Sequence, residues 1–115
     1  MYPLTVRRDD NPFEFPEIPD NPTRNMIRLT AQIPVREPEV REGRLLTTSR
    51  SSNMEAVLAQ MVGTEHVADP CTHCASGSGV FVQCVTAAGL FTGSCANCHY
   101  GNEGARCSFR KFYIS

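Results

Sequence analysis

The chain has no tryptophan and a single lysine, Lys111, and none of its apolar runs approaches the roughly 20 residues that cross a bilayer. No helical membrane span and no membrane partner are therefore expected. After Arg7 and Arg8 there is no apolar stretch of about 7 to 15 residues, so the N-terminus does not read as a secretory signal. The expectation is a soluble, intracellular protein. An excess of either charge is missing as well: eleven Lys and Arg against twelve Asp and Glu leave a formal net charge of -1, which gives no global field to draw in nucleic acid. No phosphate-loop, nucleophile or base pattern is present, so neither enzymatic activity nor a small-molecule substrate is expected.

What is there divides by composition. A chain of 115 residues is one modest domain, of a size at which burial alone gives limited stability. Residues 1–25 carry five of the eight prolines among acids and asparagines, which reads as a flexible N-terminal arm. Residues 26–50 read as a strand and a charged linker. From Met26 to Ile33, apolar Ile27, Leu29, Ala31 and Ile33 alternate with polar residues, and Pro34 ends the run. The linker then sets Arg36, Arg41, Arg44 and Arg50 against Glu37, Glu39 and Glu42.

Residues 51–112 read as a helix plus a cysteine-rich module. Ser52 and Glu55 have capping-box spacing, Gly63 falls where a left-handed stop belongs, and Met54, Val57, Leu58, Met61 and Val62 recur as one apolar stripe that covers the module. Beyond Cys71, Gly77, Gly79, Gly89, Gly93, Gly101 and Gly104 mark turns between short runs such as Val80 to Val82. The apolar residues of this stretch are too few to hold it together unaided.

The cysteines run Cys71-x2-Cys74-x9-Cys84-x10-Cys95-x2-Cys98-x8-Cys107, a two-fold repeat of a C-x2-C pair followed by a third cysteine. A C-x2-C pair suits tetrahedral zinc, because a tight turn points both sulfurs at one ion about 2.3 Å away. One Zn2+ held by Cys71, Cys74, Cys95 and Cys98 would leave Cys84 and Cys107 as small buried hydrophobes. Two ions would use all six sulfurs, two of them bridging. Spacing leaves both open. His73 and His99 are possible substitutes in a mixed shell but read as exposed, and His66 reads as a surface or linker residue. A disulfide framework is the competing reading, with fifteen possible pairings; a reducing compartment argues for metal instead. Cys98 beside His99 is not the spatial pairing that thiol catalysis uses. The fold class implied is a small, zinc-stabilised α+β protein: an irregular cysteine- and glycine-rich module of short strands and turns, preceded by one amphipathic helix and an extended N-terminal arm.

The spacing resembles the fungal binuclear zinc cluster, a DNA-binding module in which six cysteines hold two zincs. The resemblance implies that Cys71 and Cys95 bridge the ions. That family places lysines and arginines after its first pair, where a short helix enters the major groove; here the stretch is ASGSGVFVQ, with no basic residue and with Gly77 and Gly79 against a helix. The block PCTHCASGSGVFVQCV followed by GSCANCHYGNEGARCSFR more specifically resembles a fungal-restricted cysteine-rich domain of unknown function, over about residues 45–112 and including Leu58 and Gln60 of the helix before it. That resemblance implies a fungal source and zinc binding.

The expected function is a zinc-binding, non-catalytic interaction module in a nuclear or regulatory setting, contacting a protein partner through exposed aromatics such as Phe81, Phe91 and Tyr100. The alternatives are a DNA- or RNA-binding protein using Arg106, Arg110 and Lys111 with Phe109 and Tyr113, and a secreted disulfide-stabilised protein.

Overall fold

Thr23 starts the first helix: its side-chain oxygen accepts the Met26 N–H at 3.1 Å, and the chain then coils as α1, Arg24–Thr30. The computed structural model describes residues 11–110. Most of the N-terminal arm before Pro12, together with Lys111 and Tyr113 of the basic strip, lies outside them. Alternation predicts a strand at Met26 to Ile33, and the helix corrects it. Met26 and Leu29, three residues apart, share one helical face once Thr23 caps the turn. Those two side chains are buried against the next helix, whereas Ile27 and Ile33 are 56% and 73% exposed.

The second helix, α2, spans Ser51–Val62, and every residue from Asn53 to Met61 is buried. One amphipathic stripe covering the module is therefore not what forms. The helix runs through the middle of the molecule, with α1 on one side and the cysteine region on another. Its ends also differ from the capping box and left-handed stop expected of them. Arg50 is the N-cap and makes no side-chain capping bond, and Glu55 faces Thr23 and His99 instead of the helix start. Gly63 is extended, with φ -81° and ψ -169°, and is glycine because a Cβ there would strike Thr86 O and Val85 Cγ1.

After Gly63 come β1, Thr64–Glu65; α3, Thr72–Ala75; β2, Val85–Thr86; and α4, Ala96–His99, with 3₁₀ turns at Phe91–Gly93, Tyr100–Asn102 and Gly104–Arg106. β1 and β2 pair antiparallel, Thr64 opposite Thr86 and Glu65 opposite Val85. The result is a small, compact α+β protein with one two-stranded sheet and several helices among the described residues.

The charged stretch 34–50 is strapped down. The Val35 N–H donates to Met61 O at 2.7 Å, and Val40 forms an isolated antiparallel bridge with Phe81. Arg36 donates to Gln60 O at 2.7 Å and Arg44 to Gly79 O at 2.9 Å, so two of the linker's guanidinium groups serve main-chain carbonyls. Ahead of α1, Phe15 and Ile18 pack partly buried on the apolar core, which gathers Met26, Leu29, Met54, Val57, Leu58, Val80, Phe81 and Leu90. Among the described residues no helix is long and apolar enough to cross a membrane.

Candidate metal centre

Each C-x2-C pair opens a single helical turn, and the geometry repeats between the halves. Cys71 caps α3 and Cys95 caps α4, both in extended conformation. In each, the sulfur of the first cysteine accepts the N–H of the second at 3.4 Å. The N–H of the first then donates to the sulfur of the third: Cys71 to Cys84 at 3.4 Å, and Cys95 to Cys107 at 3.3 Å. The two-fold repeat of the sequence is thus a two-fold repeat of the fold. N–H···S bonds of this kind favour the ionised form of sulfur that a metal needs.

The two halves meet sulfur to sulfur. Cys71 Sγ lies 3.8 Å from both Cys95 Sγ and Cys98 Sγ, and Cys74 Sγ lies 3.6 Å from Cys95 Sγ. Two sets of four result, Cys71, Cys74, Cys84 and Cys95, and Cys71, Cys95, Cys98 and Cys107, each with all its sulfurs within 4.8 Å of one another. They share Cys71 and Cys95. Neither set is the shell of four paired cysteines, and both draw in a third cysteine, so Cys84 and Cys107 stand among the possible ligands.

The donor set passes a test of size. A tetrahedral shell with metal–sulfur bonds of about 2.3 Å has sulfur–sulfur edges of about 3.8 Å, and the cross-half distances of 3.6 to 3.8 Å match it. They are far from the roughly 2.05 Å of a disulfide. None of the six cysteines is bonded to another, and all are buried. Each group of four can hold a metal ion.

Electrostatics favour a cation in this space. Hydrogen bonds from Cys84, Cys95 and Cys98 hold the Cys74 thiol far below the ordinary cysteine range, and those from Cys95 and Cys98 lower Cys107 to about 2. The remaining thiols are pushed up: Cys84 to about 12, chiefly by its hydrogen bond to Cys74, and Cys95 and Cys98 chiefly by theirs to Cys107. Burial raises Cys71. The downward shifts of Cys74 and Cys107 thus lean on hydrogen bonds from the neighbouring sulfurs. Divalent cations would replace those protons and let the whole set serve as thiolates.

The histidines stand outside the sulfur sets. His99 is not exposed as expected: Nε2 lies 2.7 Å from Glu55 Oε1, and the ring stacks on Phe91 at 3.7 Å. Phe91 adopts φ 59°, a left-handed conformation rare for a bulky side chain. His66 is anchored rather than a linker, 2.7 Å from Thr86 Oγ1 and packed against the Phe109 ring. His73 is half-buried. Nor is Phe81 available as a contact aromatic. It is fully buried, edge-on to Tyr100, whose hydroxyl accepts the Thr47 N–H at 3.0 Å. Of the basic strip, Arg106 is exposed, Arg110 is half-buried and Phe109 packs on the cysteine cluster.

Two supporting residues escaped the sequence reading. Glu55, on α2, accepts the Thr23 hydroxyl at 2.6 Å as well as facing His99, tying α1 and α4 to one carboxylate. Its capping-box position pointed elsewhere. Asn97, inside the second pair, is buried and donates to Cys74 Sγ at 3.4 Å and to Ser78 O at 2.9 Å. A buried asparagine between two ligands was the available signal.

The fold and this centre define a class: a small α+β protein whose six-cysteine cluster can hold metal. The sequence model of the family described as Protein of unknown function (DUF3716) matches residues 56–110, from the second turn of α2 past the last cysteine. No curated protein and no solved structure matches the chain.

Proposed function

We propose that this chain is a zinc-binding, non-catalytic interaction module that holds two Zn2+ in its six-cysteine cluster and binds a protein partner. The observation that carries the reading is the pair of four-sulfur sets sharing Cys71 and Cys95. Four-coordinate zinc fits each, and six sulfurs serve two such shells only if two are shared. All-sulfur ligation is the signature of structural rather than catalytic zinc, since it leaves no position for water or substrate. Six buried cysteines without a disulfide among them support a reducing, intracellular setting. The nuclear, regulatory setting and a fungal source rest on the resemblances read from the sequence.

A protein partner is favoured over nucleic acid because two of the four arginines of the strap are committed internally. Arg36 and Arg44 donate to main-chain carbonyls, and the stretch after the first pair carries no cation. Exposed apolar side chains such as Leu45 and Val67 offer contact surface instead.

Elemental analysis, native mass spectrometry and thiol titration on protein purified without added zinc test the metal reading. Two zincs per chain and six thiols after denaturation are expected. One zinc overturns the shared-sulfur arrangement, and no metal with six oxidised cysteines overturns the function. Binding to duplex DNA and to RNA at two salt concentrations tests the partner class, because each phosphate contact steepens the salt dependence. A steep dependence would replace the protein partner with a nucleic acid.

A further inference from the structure

The two halves of the cysteine repeat match in main-chain geometry and differ in one side chain. Position three of the first pair is His73 and position three of the second is Asn97. Asn97 is 2% exposed and its amide is used completely. Oδ1 accepts the Phe81 N–H at 2.9 Å, while Nδ2 donates to Ser78 O at 2.9 Å and to Cys74 Sγ at 3.4 Å. Gly79, at φ 93°, lies between those two main-chain partners, and a Cβ on it would collide with the Asn97 amide. The loop 78–81 is therefore shaped around this side chain. By the pseudo-symmetry His73 would donate to Cys98, yet no ring hydrogen bond from His73 to a sulfur exists among the described residues.

Cys74 belongs to one four-sulfur set and not to the other. Its amide contact therefore acts on one metal position alone. On the other side, Cys107 receives main-chain donors from Cys95 and Phe109, which are independent of Asn97. Resting on the two-ion reading above, we infer that Asn97 is a positioning residue for one ion only: it orients Cys74 and partly neutralises its charge, and so makes the two metal positions inequivalent. A hydrogen-bonded residue behind a ligand typically changes metal affinity about 10- to 100-fold.

The test uses the full chain loaded with Cd2+ and, separately, with Zn2+. The wild-type protein is expected to give two distinct cadmium resonances and two phases of zinc release to a chelator. Asn97→Ala should move one resonance and accelerate one phase by about 10-fold or more, leaving the other phase within about twofold. Asn97→Asp keeps the acceptor for the Phe81 N–H and loses the donor to Cys74, so it should repeat the selective effect where Asn97→Ala fails to fold. His73→Ala should change neither phase. Two ions in the wild type with both phases changed equally, or neither changed, in the Asn97 variants would overturn this inference alone. Fewer than two ions in the wild type would overturn both it and the two-ion reading.

Discussion

The molecule has two interiors built on different chemistry. Around α2, twelve buried residues including Met26, Leu29, Leu58 and Phe81 form an apolar core, and beside it six cysteines with Phe109 form a sulfur core. The first draws on segments from Phe15 to Tyr100. Its stability comes from area, at about 25 cal/mol per Å2 of apolar surface removed from water. The sulfur core has little such area and a surplus of ionisable groups, so burial alone works against it. The two are joined at α4, where Ala96 faces the apolar side while Cys95 and Cys98 face the sulfur side. The difference teaches that one region draws its stability from buried area, whereas the other is held together by whatever neutralises its thiolates.

Removing metal is the strongest way to break that comparison. Structural zinc contributes on the order of 10 kcal/mol to folding, so chelation should unfold the cysteine region, and through α4 the helical signal of α2 should fall with it. Far-ultraviolet circular dichroism before and after chelation checks this; a retained helical signal would mean that the apolar core stands alone. Acid acts in the same direction, because protons compete with metal for thiolate and release should increase as pH falls. At the level of single sulfurs, Cys71→Ser should abolish binding of both ions, since Cys71 lies in both sets, whereas Cys84→Ser should spare one. Metal stoichiometry by native mass spectrometry separates these outcomes.

Phe81→Ala probes the apolar side. Phe81 is fully buried, paired through Val40 to the strap and edge-on to Tyr100. Its truncation should cost about 3–5 kcal/mol through lost burial and the cavity left behind. Denaturant unfolding of the metal-loaded protein measures that cost, with metal stoichiometry retained. Loss of metal at native folding conditions would show that the two interiors are one.

The sulfur side was far more legible in the sequence than the apolar side. Cysteine spacing is a local constraint, so the tight turns at Cys71–Cys74 and Cys95–Cys98 and the matching third positions followed from it. The shared roles of Cys71 and Cys95 came only with a resemblance, because spacing does not say how the halves meet. The apolar side depends on long-range packing, and there local pattern misled. The period-two alternation at Ile27 to Ile33 coincided with a helical pair at Met26 and Leu29, and Glu55 kept capping-box spacing while its carboxylate bonded Thr23 and His99. Phe81, offered as a surface aromatic, is in the core because residues 39–41 fold back over 80–82.

The seam between the interiors gives the smaller effects. Glu55→Ala removes the carboxylate that faces both Thr23 and His99, leaving a partly buried hydroxyl and imidazole without that partner. A loss of about 1–3 kcal/mol follows from stranded polar groups, and thermal unfolding of the holo protein checks it. Thr23→Ala should cost less, about 1 kcal/mol, the usual value for an N-cap. The Thr23 hydroxyl both accepts the Met26 N–H and donates to Glu55, so the substitution removes the cap of α1 and one of the two bonds to that carboxylate. A double-mutant cycle of Thr23→Ala with Glu55→Ala sharpens the point. Coupling of about 0.5 kcal/mol or more would mean that α1 is tied to the seam through this bond. Strict additivity would mean that α1 is held by Met26 and Leu29 alone, and that the apolar core reaches the cysteine side only through α2 and α4.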